Sequence, residues 1–172
     1  MKNLNAQELL EYVKTCSSKE KLKAAENRKL PPEVADYLVD CDVDEKTKKE
    51  LYTTLFFHYD TNIWASTIAK AARKTENQAT LHDIAQHKNT DIDTFKYLMG
   101  LKKSFVNYGL ACNPRLPSKM LDSLADEDDS SLALAILRNP SVTEETKAKI
   151  LEKYKNDGWF DIQLNGNKFI IK

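Results

Sequence analysis

The chain has 172 residues, of which 41% are hydrophobic and 30% charged, and its 26 Lys and Arg residues balance its 26 Asp and Glu residues. This composition is typical of one soluble globular domain, and zero net charge gives no general attraction to nucleic-acid or membrane phosphates. Only four Gly and five Pro are present, which favours helices over a sandwich or barrel with many tight turns.

The cysteines and the amino-terminal segment predict a reduced, cytoplasmic protein. Cys16, Cys41 and Cys112 are odd in number and far apart, and none forms a Cys-x-x-Cys pair, so neither a disulfide framework nor a zinc knuckle is indicated. The amino-terminal segment lacks the apolar stretch of a secretion signal, and the sequence has no apolar run of about 18 residues. We therefore expect no membrane contact.

Hydrophobic periodicity and capping signals predict eleven short helices. The first two begin with capping boxes, in which Asn5 is followed by Glu8 and Ser17 by Glu20. Helices this short are marginal alone, so their stability has to come from stacking on neighbours. The predicted helices cover residues 5–15, 18–28, 31–39, 45–58, 62–74, 78–87, 92–100, 103–112, 117–126, 130–138 and 143–156.

A repeat with a period of 26 residues organises the second half of the chain. Asn113-Pro114 recurs as Asn139-Pro140, and His87-Lys88 occupies the same position one period earlier. Proline ends one helix and favours the first turn of the next, so each unit is predicted to be two short helices joined by a polar turn. One apolar position keeps the same phase through all three units: Leu98, Leu124 and Ile150.

A further copy lies near the amino terminus, out of phase with the others. Residues 30–38 resemble residues 116–124, but the offset is 86, which is not a multiple of 26. A longer or irregular unit therefore lies between the copies. Residues 51–80 are either an inserted helix pair or a distorted repeat, and the sequence leaves both open.

The carboxyl-terminal segment breaks the helical pattern. Gly158 ends the last predicted helix, and Asn165-Gly166 between two alternating apolar stretches predicts a β-hairpin with a type I′ turn. The apolar face of the hairpin would cap the open end of the repeats or, alternatively, pair with another chain. The predicted fold is thus all-α, a repeat domain of short helix pairs over residues 1–157, with a C-terminal β-hairpin packed on it over residues 158–172.

Residues 111–121 and 137–145 resemble units of the leucine-rich repeat variant family, which carry an Asn-Pro, a small residue with proline, a leucine-bearing helix and an acidic turn. The resemblance is good over about residues 82–155, partial over 24–50 and poor over 51–80. More broadly, the chain is similar to HEAT-like α-solenoids. The resemblance implies a right-handed α-α superhelix whose curved surface binds a partner. Some family members carry an amino-terminal cysteine cluster for an iron–sulfur centre, and this sequence lacks one, so that chemistry does not transfer.

Two acidic clusters predict an edge of the stack rather than a metal site. Asp40, Asp42 and Asp44 are spaced like calcium ligands, but Glu45 replaces the glycine that a calcium loop needs at its sixth position. Acidic residues in an inter-helix turn also favour the start of the next helix through its dipole, which explains them without a metal. If both clusters occupy equivalent turns, they form an acidic rim: Asp40, Asp42, Asp44, Asp126, Asp128 and Asp129.

The densest aromatic segment lies between residues 55 and 64, and two interpretations of it stay open. The first is core, because neighbouring rings on a short helix must bury at least one. The second is a binding face that combines aromatic and basic side chains and suits a protein partner or nucleic acid. The predicted partner-binding residues are Tyr59, Trp64, Lys70, Arg73 and Lys74.

The sequence predicts no cofactor, no metal site and no catalytic centre. His58, His82 and His87 lack the i, i+4 spacing of a helical metal pair, and phosphate-loop, dinucleotide and Gly-x-Ser-x-Gly motifs are absent. His87 stands where the sister repeats have Asn, so we expect it at a helix C-cap.

The leading functional hypothesis is a non-catalytic protein-interaction module, a scaffold or regulator rather than an enzyme. One alternative is a HEAT-like nucleic-acid-binding protein or a DNA glycosylase-like enzyme, for which Trp64, Asp60 and Arg73 are the candidate set; zero net charge disfavours it. Another alternative is a phage or mobile-element inhibitor of a host protein, suggested by the small size and the lysine bias. We expect the partner to be a protein.

Overall fold

The computed structural model describes residues 4–58 and 61–165, and these residues form twelve α-helices and no strand. The ends of the first eleven helices lie within three residues of the predicted ends, so the helical architecture is confirmed. The helices are α1 (Ala6–Thr15), α2 (Ser18–Ala25), α3 (Pro32–Asp40), α4 (Glu45–Phe57), α5 (Ala65–Lys74), α6 (Gln78–Gln86), α7 (Ile92–Gly100), α8 (Ser104–Cys112), α9 (Ser118–Leu124), α10 (Ser130–Arg138), α11 (Glu144–Lys153) and α12 (Gly158–Asn165).

The predicted C-terminal β-hairpin is wrong, because α12 occupies the residues assigned to its first strand. Asp157 initiates this helix: its Oδ1 accepts the backbone N–H groups of Trp159 and Phe160, both at 3.0 Å. The helical conformation buries Phe160, whose ring stacks on Tyr154 with 4.8 Å between centroids. The second predicted strand, residues 167–171, lies outside the described residues.

The helices alternate between two layers. The odd-numbered helices α1, α3, α5 and α7 pack on one another in succession, and the even-numbered helices do so from α2 to α12. Five consecutive pairs contact each other across the layers, α1 with α2, α3 with α4, α5 with α6, α7 with α8 and α9 with α10, and α11 and α12 both pack on α10. We call the solvent-exposed sides of the two layers the odd face and the even face.

The core lies between the layers and follows the repeat. The seventh residue of each odd-numbered helix from α3 onward is buried, with at most 2% of its surface exposed. The apolar phase predicted for three units is therefore confirmed and extends to five. These core residues are Leu38, Ala71, Leu98, Leu124 and Ile150.

The irregular middle of the chain is a stretched repeat rather than an inserted helix pair. The same turn follows α2, α4, α6, α8 and α10, with a backbone N–H donating to the carbonyl oxygen three residues earlier. Two of the units are longer because α4 has 13 residues, against nine in α6, α8 and α10, and because the loop before α5 is longer. The residues that accept in this turn are 31, 29, 26 and 26 positions apart: Asn27, His58, His87, Asn113 and Asn139.

Two buried asparagines connect successive repeats along this row. Asn113 Nδ2 donates to the carbonyl oxygens of Ala85 (2.8 Å) and His87 (3.2 Å), while its Oδ1 accepts from the Arg115 N–H (2.9 Å). Asn139 repeats all three hydrogen bonds one unit later. Each side chain therefore holds its own turn and satisfies the carbonyl end of the preceding even-numbered helix, whose last oxygens lack helical partners.

His87 takes the place of asparagine in this row and is the C-cap of α6, as predicted. Its Nδ1 accepts from the Asn89 N–H at 3.1 Å, and its Nε2 lies 3.0 Å from Thr61 Oγ1. Accepting at Nδ1 places the proton of the neutral ring on Nε2. A buried imidazole thus replaces the amide, which accounts for this histidine without catalysis.

Candidate interaction surface

The odd face is held together by ion pairs between α3 and α5. Thr67 Oγ1 donates to Asp36 Oδ1 at 2.6 Å, and Lys70 Nζ lies 2.9 Å from Asp36 and 2.6 Å from Asp40. Lys74 Nζ lies 2.6 Å from the second oxygen of Asp40. Lys70 and Lys74, two predicted partner-binding residues, therefore form ion pairs with Asp40, a predicted rim residue of the same chain.

These ion pairs shift the titration of Asp40. Hydrogen bonds from Lys70 and then Lys74 hold the pKa of its carboxyl below the usual range. A lowered pKa in the folded state stabilises the fold above the unfolded pKa, and the contribution is lost as the pH falls through the folded value. The side chains of Lys70, Asp40 and Lys74 are 32–50% exposed to solvent, so the contribution is small, about 0.2–1 kcal/mol.

The same arrangement recurs between α9 and α11. Lys149 Nζ lies 3.3 Å from Asp122 and 2.9 Å from Asp126, and Thr146 Oγ1 lies 3.4 Å from Asp122. The threonines and lysines are the third and sixth residues of α5 and α11. Counted from the first residue of α3 and of α9, Asp36 and Asp122 stand at the fifth position and Asp40 and Asp126 at the ninth. The contacts are thus a property of the repeat.

Between α5 and α7 an arginine–tyrosine contact replaces the lysine–aspartate ion pairs. The threonine at the corresponding position has no hydrogen-bond acceptor among the described residues. The Arg73 guanidinium carbon lies 4.9 Å above the ring centre of Tyr97, a cation–π contact at the lysine position. Thr94 corresponds to Thr67, yet its buried hydroxyl has no hydrogen-bond partner among the described residues. The reason is Ala69, which stands where α3 carries an aspartate.

Replacing Ala69 with aspartate is expected to raise the free energy of unfolding by about 0.5–1.5 kcal/mol, because the new carboxylate accepts a hydrogen bond from Thr94. Chemical denaturation at neutral pH measures the gain. In a Thr94→Val background most of the gain should disappear. An equal gain in both backgrounds would show that the carboxylate acts through something other than the threonine.

The remaining residues of the predicted acidic rim lie in two equivalent inter-helix turns, one before α4 and one before α10. Asp44 Oδ1 accepts from the Thr47 N–H and Asp129 Oδ1 from the Leu132 N–H, both at 3.0 Å, so these two are helix N-caps. Asp42 and Asp128 are exposed at the same edge. Their local role is to start the next helix, and binding by this edge stays a prediction.

The remaining predicted anchors are Trp64 and Tyr59. Trp64 is the N-cap of α5 and is 47% exposed, while Tyr59 and Asp60 lie outside the described residues. Arg73 is nine residues after Trp64, which separates them by about 13 Å along α5. Trp64 and Arg73 therefore lie at opposite ends of α5, whereas the glycosylase-like alternative needs them together at one DNA-lesion site.

An aromatic cluster that the sequence interpretation missed lies on the even face, where α6 meets α8. Phe105 is 48% exposed, and its ring stacks on His82 with 4.3 Å between centroids and 8° between planes. The ring of Tyr108 lies 6.3 Å from the same imidazole, and Cys112 is exposed one turn later. We call Phe105, Tyr108 and Cys112 the α8 stripe. Their i, i+3, i+7 spacing, opposite the buried side of α8, was the available sequence signal.

Gly109 allows this cluster to form. A Cβ at this position would lie 2.8 Å from the His82 carbonyl oxygen and 2.9 Å from Cδ2 of its ring. Glycine inside a helix costs about 0.5–1 kcal/mol relative to alanine, so the close approach of α6 and α8 has to offset that loss. Gly109 therefore sets the position of His82 beneath Phe105.

Cations without carboxylate partners lie at both ends of the α8 stripe. Lys103 is the N-cap of α8, and Lys102 before it has a φ of 50°, uncommon for a residue with a side chain. At the other end, desolvation raises the pKa of the Cys112 thiol, while a hydrogen bond from Tyr108 and the charge of Arg138 oppose the shift. Within the described residues, none of these three cations forms an ion pair.

Residues 4–58 and 61–165 contain no candidate metal site. No three His, Cys, Asp or Glu side chains converge there as a metal site would require. No helix in this part of the chain has the length and hydrophobicity needed to span a bilayer. Comparison with protein-family models, curated proteins and solved structures gave no match. Function therefore has to be argued from the surfaces described above.

Proposed function

We propose that the protein is a non-catalytic protein-interaction module, a helical repeat of the leucine-rich repeat variant or HEAT-like kind, which binds its partner through the even face. The observation that carries this proposal is the exposed Phe105 ring, held by the stacked His82 at the middle of the continuous even layer. A ring fixed before binding loses little entropy on association, and aromatic side chains dominate binding energy at interfaces.

The odd face supports the proposal by contrast. On this face Lys70, Lys74 and Lys149 are engaged with aspartates of the same chain, and Arg73 is engaged with Tyr97. A partner binding at these residues would have to compete with contacts that join the repeats. At the α8 stripe no ion pair among the described residues would have to be exchanged. The three cysteines are unpaired, which is typical of the reducing cytoplasm where we place the protein.

Nucleic-acid binding is the weaker candidate. Around the depression between α2 and α4, about 520 Å³ in volume, Lys46 and Lys49 alternate with Glu26 and Glu50. A polyphosphate backbone would meet these carboxylates as well as the lysines, and zero net charge provides no compensating attraction. A phage or mobile-element inhibitor of a host protein would be one form of the proposed module.

Affinity capture from a native lysate, with and without nuclease, tests the proposal when wild type is compared with Phe105→Ala. We expect one protein in near-stoichiometric amount, unaffected by nuclease and reduced at least about tenfold by the substitution, as for an interface hot spot. Trp64→Ala is the matched control, because Trp64 has nearly the same exposure, 47% against 48%. Capture that depends on Trp64 and not on Phe105 would place the interface at the α5 edge instead.

A further inference from the structure

The α8 stripe differs from the rest of the surface in its charge pattern, and this difference bears on the chemistry of the partner. Resting on the function proposed above, we propose that the stripe receives a peptide segment of the partner protein in which an apolar or aromatic anchor is flanked on both sides by carboxylates. The anchor would sit on Phe105 and Tyr108. The carboxylates would meet Lys103 at one end and Arg138 at the other.

Charged side chains lie at the two ends of α8 and not along it. The helix has nine residues and contains no charged side chain, so it presents an apolar and aromatic surface about 13 Å long. Its amino-terminal end carries Lys102 and Lys103, and α8 packs on α10, of which Arg138 is the last residue. Two carboxylates lie nearby and both are engaged: Asp83 Oδ1 on α6 lies 3.4 Å from His82 Nδ1, and Glu127 Oε1 accepts from Asn107 Nδ2 on the buried side of α8 at 2.7 Å. The pattern is positive, apolar, positive.

Ion pairing also differs between the cationic ends of the α8 stripe and three lysines of the odd face. On the odd face, Lys70, Lys74 and Lys149 each lie within 3.3 Å of an aspartate oxygen. In the part of the chain that the structure describes, Lys103 and Arg138 have no such partner. An unpaired arginine beside an exposed apolar stripe is a typical component of interfaces, in which arginine and aromatic residues are enriched.

The distance between the two cationic ends of α8 favours a short peptide over a longer polyanion. The two cationic ends are separated by the length of α8, about 13 Å, which is about four residues of extended chain or nine of helix. One short segment can therefore place an anchor and two carboxylates at once. A nucleic acid would add phosphates next to Asp83 and over the apolar stripe, where no cation meets them.

Selection of a displayed random 12-residue peptide library on the intact chain tests this inference, followed by fluorescence polarisation with the synthetic peptide obtained. We expect selected peptides to share an aromatic or leucine anchor with Asp or Glu on both sides. Replacing those acids with Asn and Gln should weaken binding at least about tenfold, as should Lys103→Glu or Arg138→Glu in the protein. Lys119→Glu, an exposed residue on α9 of the odd layer, is the control and should leave affinity unchanged.

Selected peptides without acidic residues, or peptides whose affinity ignores both charge reversals, would overturn the inference. So would tighter binding of a 20-residue oligothymidine than of any selected peptide. If the captured native partner still depends on Phe105 while the peptides lack acids, the proposed function survives and only the partner chemistry fails. If capture is independent of Phe105, both fail. Thermal melts of every variant confirm that the comparison is made between folded proteins.

Discussion

Replacing Asn113 with alanine is expected to destabilise the protein by about 2–4 kcal/mol, because the change leaves two carbonyl oxygens and one N–H without their hydrogen-bond partner. The side chain is 1% exposed, so water cannot replace the lost bonds. Chemical denaturation monitored by circular dichroism measures the effect.

Asn27→Ala is the matched control for this prediction. Asn27 occupies the same position after α2 but is exposed, and among the described residues its side chain accepts only the Lys29 N–H, at 3.0 Å. Because this bond lies within its own turn and joins no other repeat, its loss should cost about 0.5–1 kcal/mol. Equal losses at Asn27 and Asn113 would show that the asparagines act only within their own turn and do not couple successive repeats.

Gly109→Ala is expected to cost about 1–3 kcal/mol, although alanine is the better helix former, because the added Cβ would overlap the His82 carbonyl oxygen. The backbone of α6 would have to move, and the His82 ring would lose its place beneath Phe105. The loss should appear both as a lower midpoint of unfolding and as a changed environment of the His82 ring in NMR spectra.

Gly100→Ala provides the control for this second prediction. Gly100 ends α7, its φ is not positive, and a Cβ there would meet nothing within 4 Å. Alanine should therefore be neutral or stabilise the protein by about 0.4–1 kcal/mol through the unfolded state. If Gly109→Ala behaves like Gly100→Ala, α6 and α8 do not approach as closely as described.

Much of the architecture was predictable because it is local or periodic. The predicted cap at Asn5 forms with both reciprocal hydrogen bonds, and at Ser17 the Glu20 carboxylate accepts both the backbone N–H and the hydroxyl of the serine. The Asn-Pro period located the helix pairs, and comparison with Asn113 predicted the capping role of His87. Each of these features depends either on neighbouring residues or on a fixed spacing along the chain, so a single sequence contains the information.

The segment predicted as a C-terminal hairpin contains two local signals that point in different directions. Asn165-Gly166, on which the prediction rested, favours a type I′ turn, whereas Asp157 favours a helix that begins at the next residue. The structure has the helix, because burying Phe160 against Tyr154 and packing α12 on α10 continue the even layer. Tertiary packing decided between the two, and the sequence pattern carries no measure of it.

The candidate site was harder to predict because it depends on contacts between repeats. Lys70 and Asp36 are 34 positions apart, and only the stacking of α5 on α3 shows that they pair. The basic residues near Trp64 therefore resembled a binding patch in sequence. The α8 stripe was missed because apolar residues at i, i+3 and i+7 are usually core residues. Phe105 has this spacing, yet its ring lies on the exposed side of α8.

The central claim, that the even face binds the partner, is tested most directly by NMR titration of the ¹⁵N-labelled 19.7 kDa chain with the captured protein. The account predicts that the largest amide shifts and line broadening map to α6, α8 and the end of α10, centred on Phe105 and Tyr108. Changes concentrated on the odd face, around Trp64 and the first turn of α5, would contradict it.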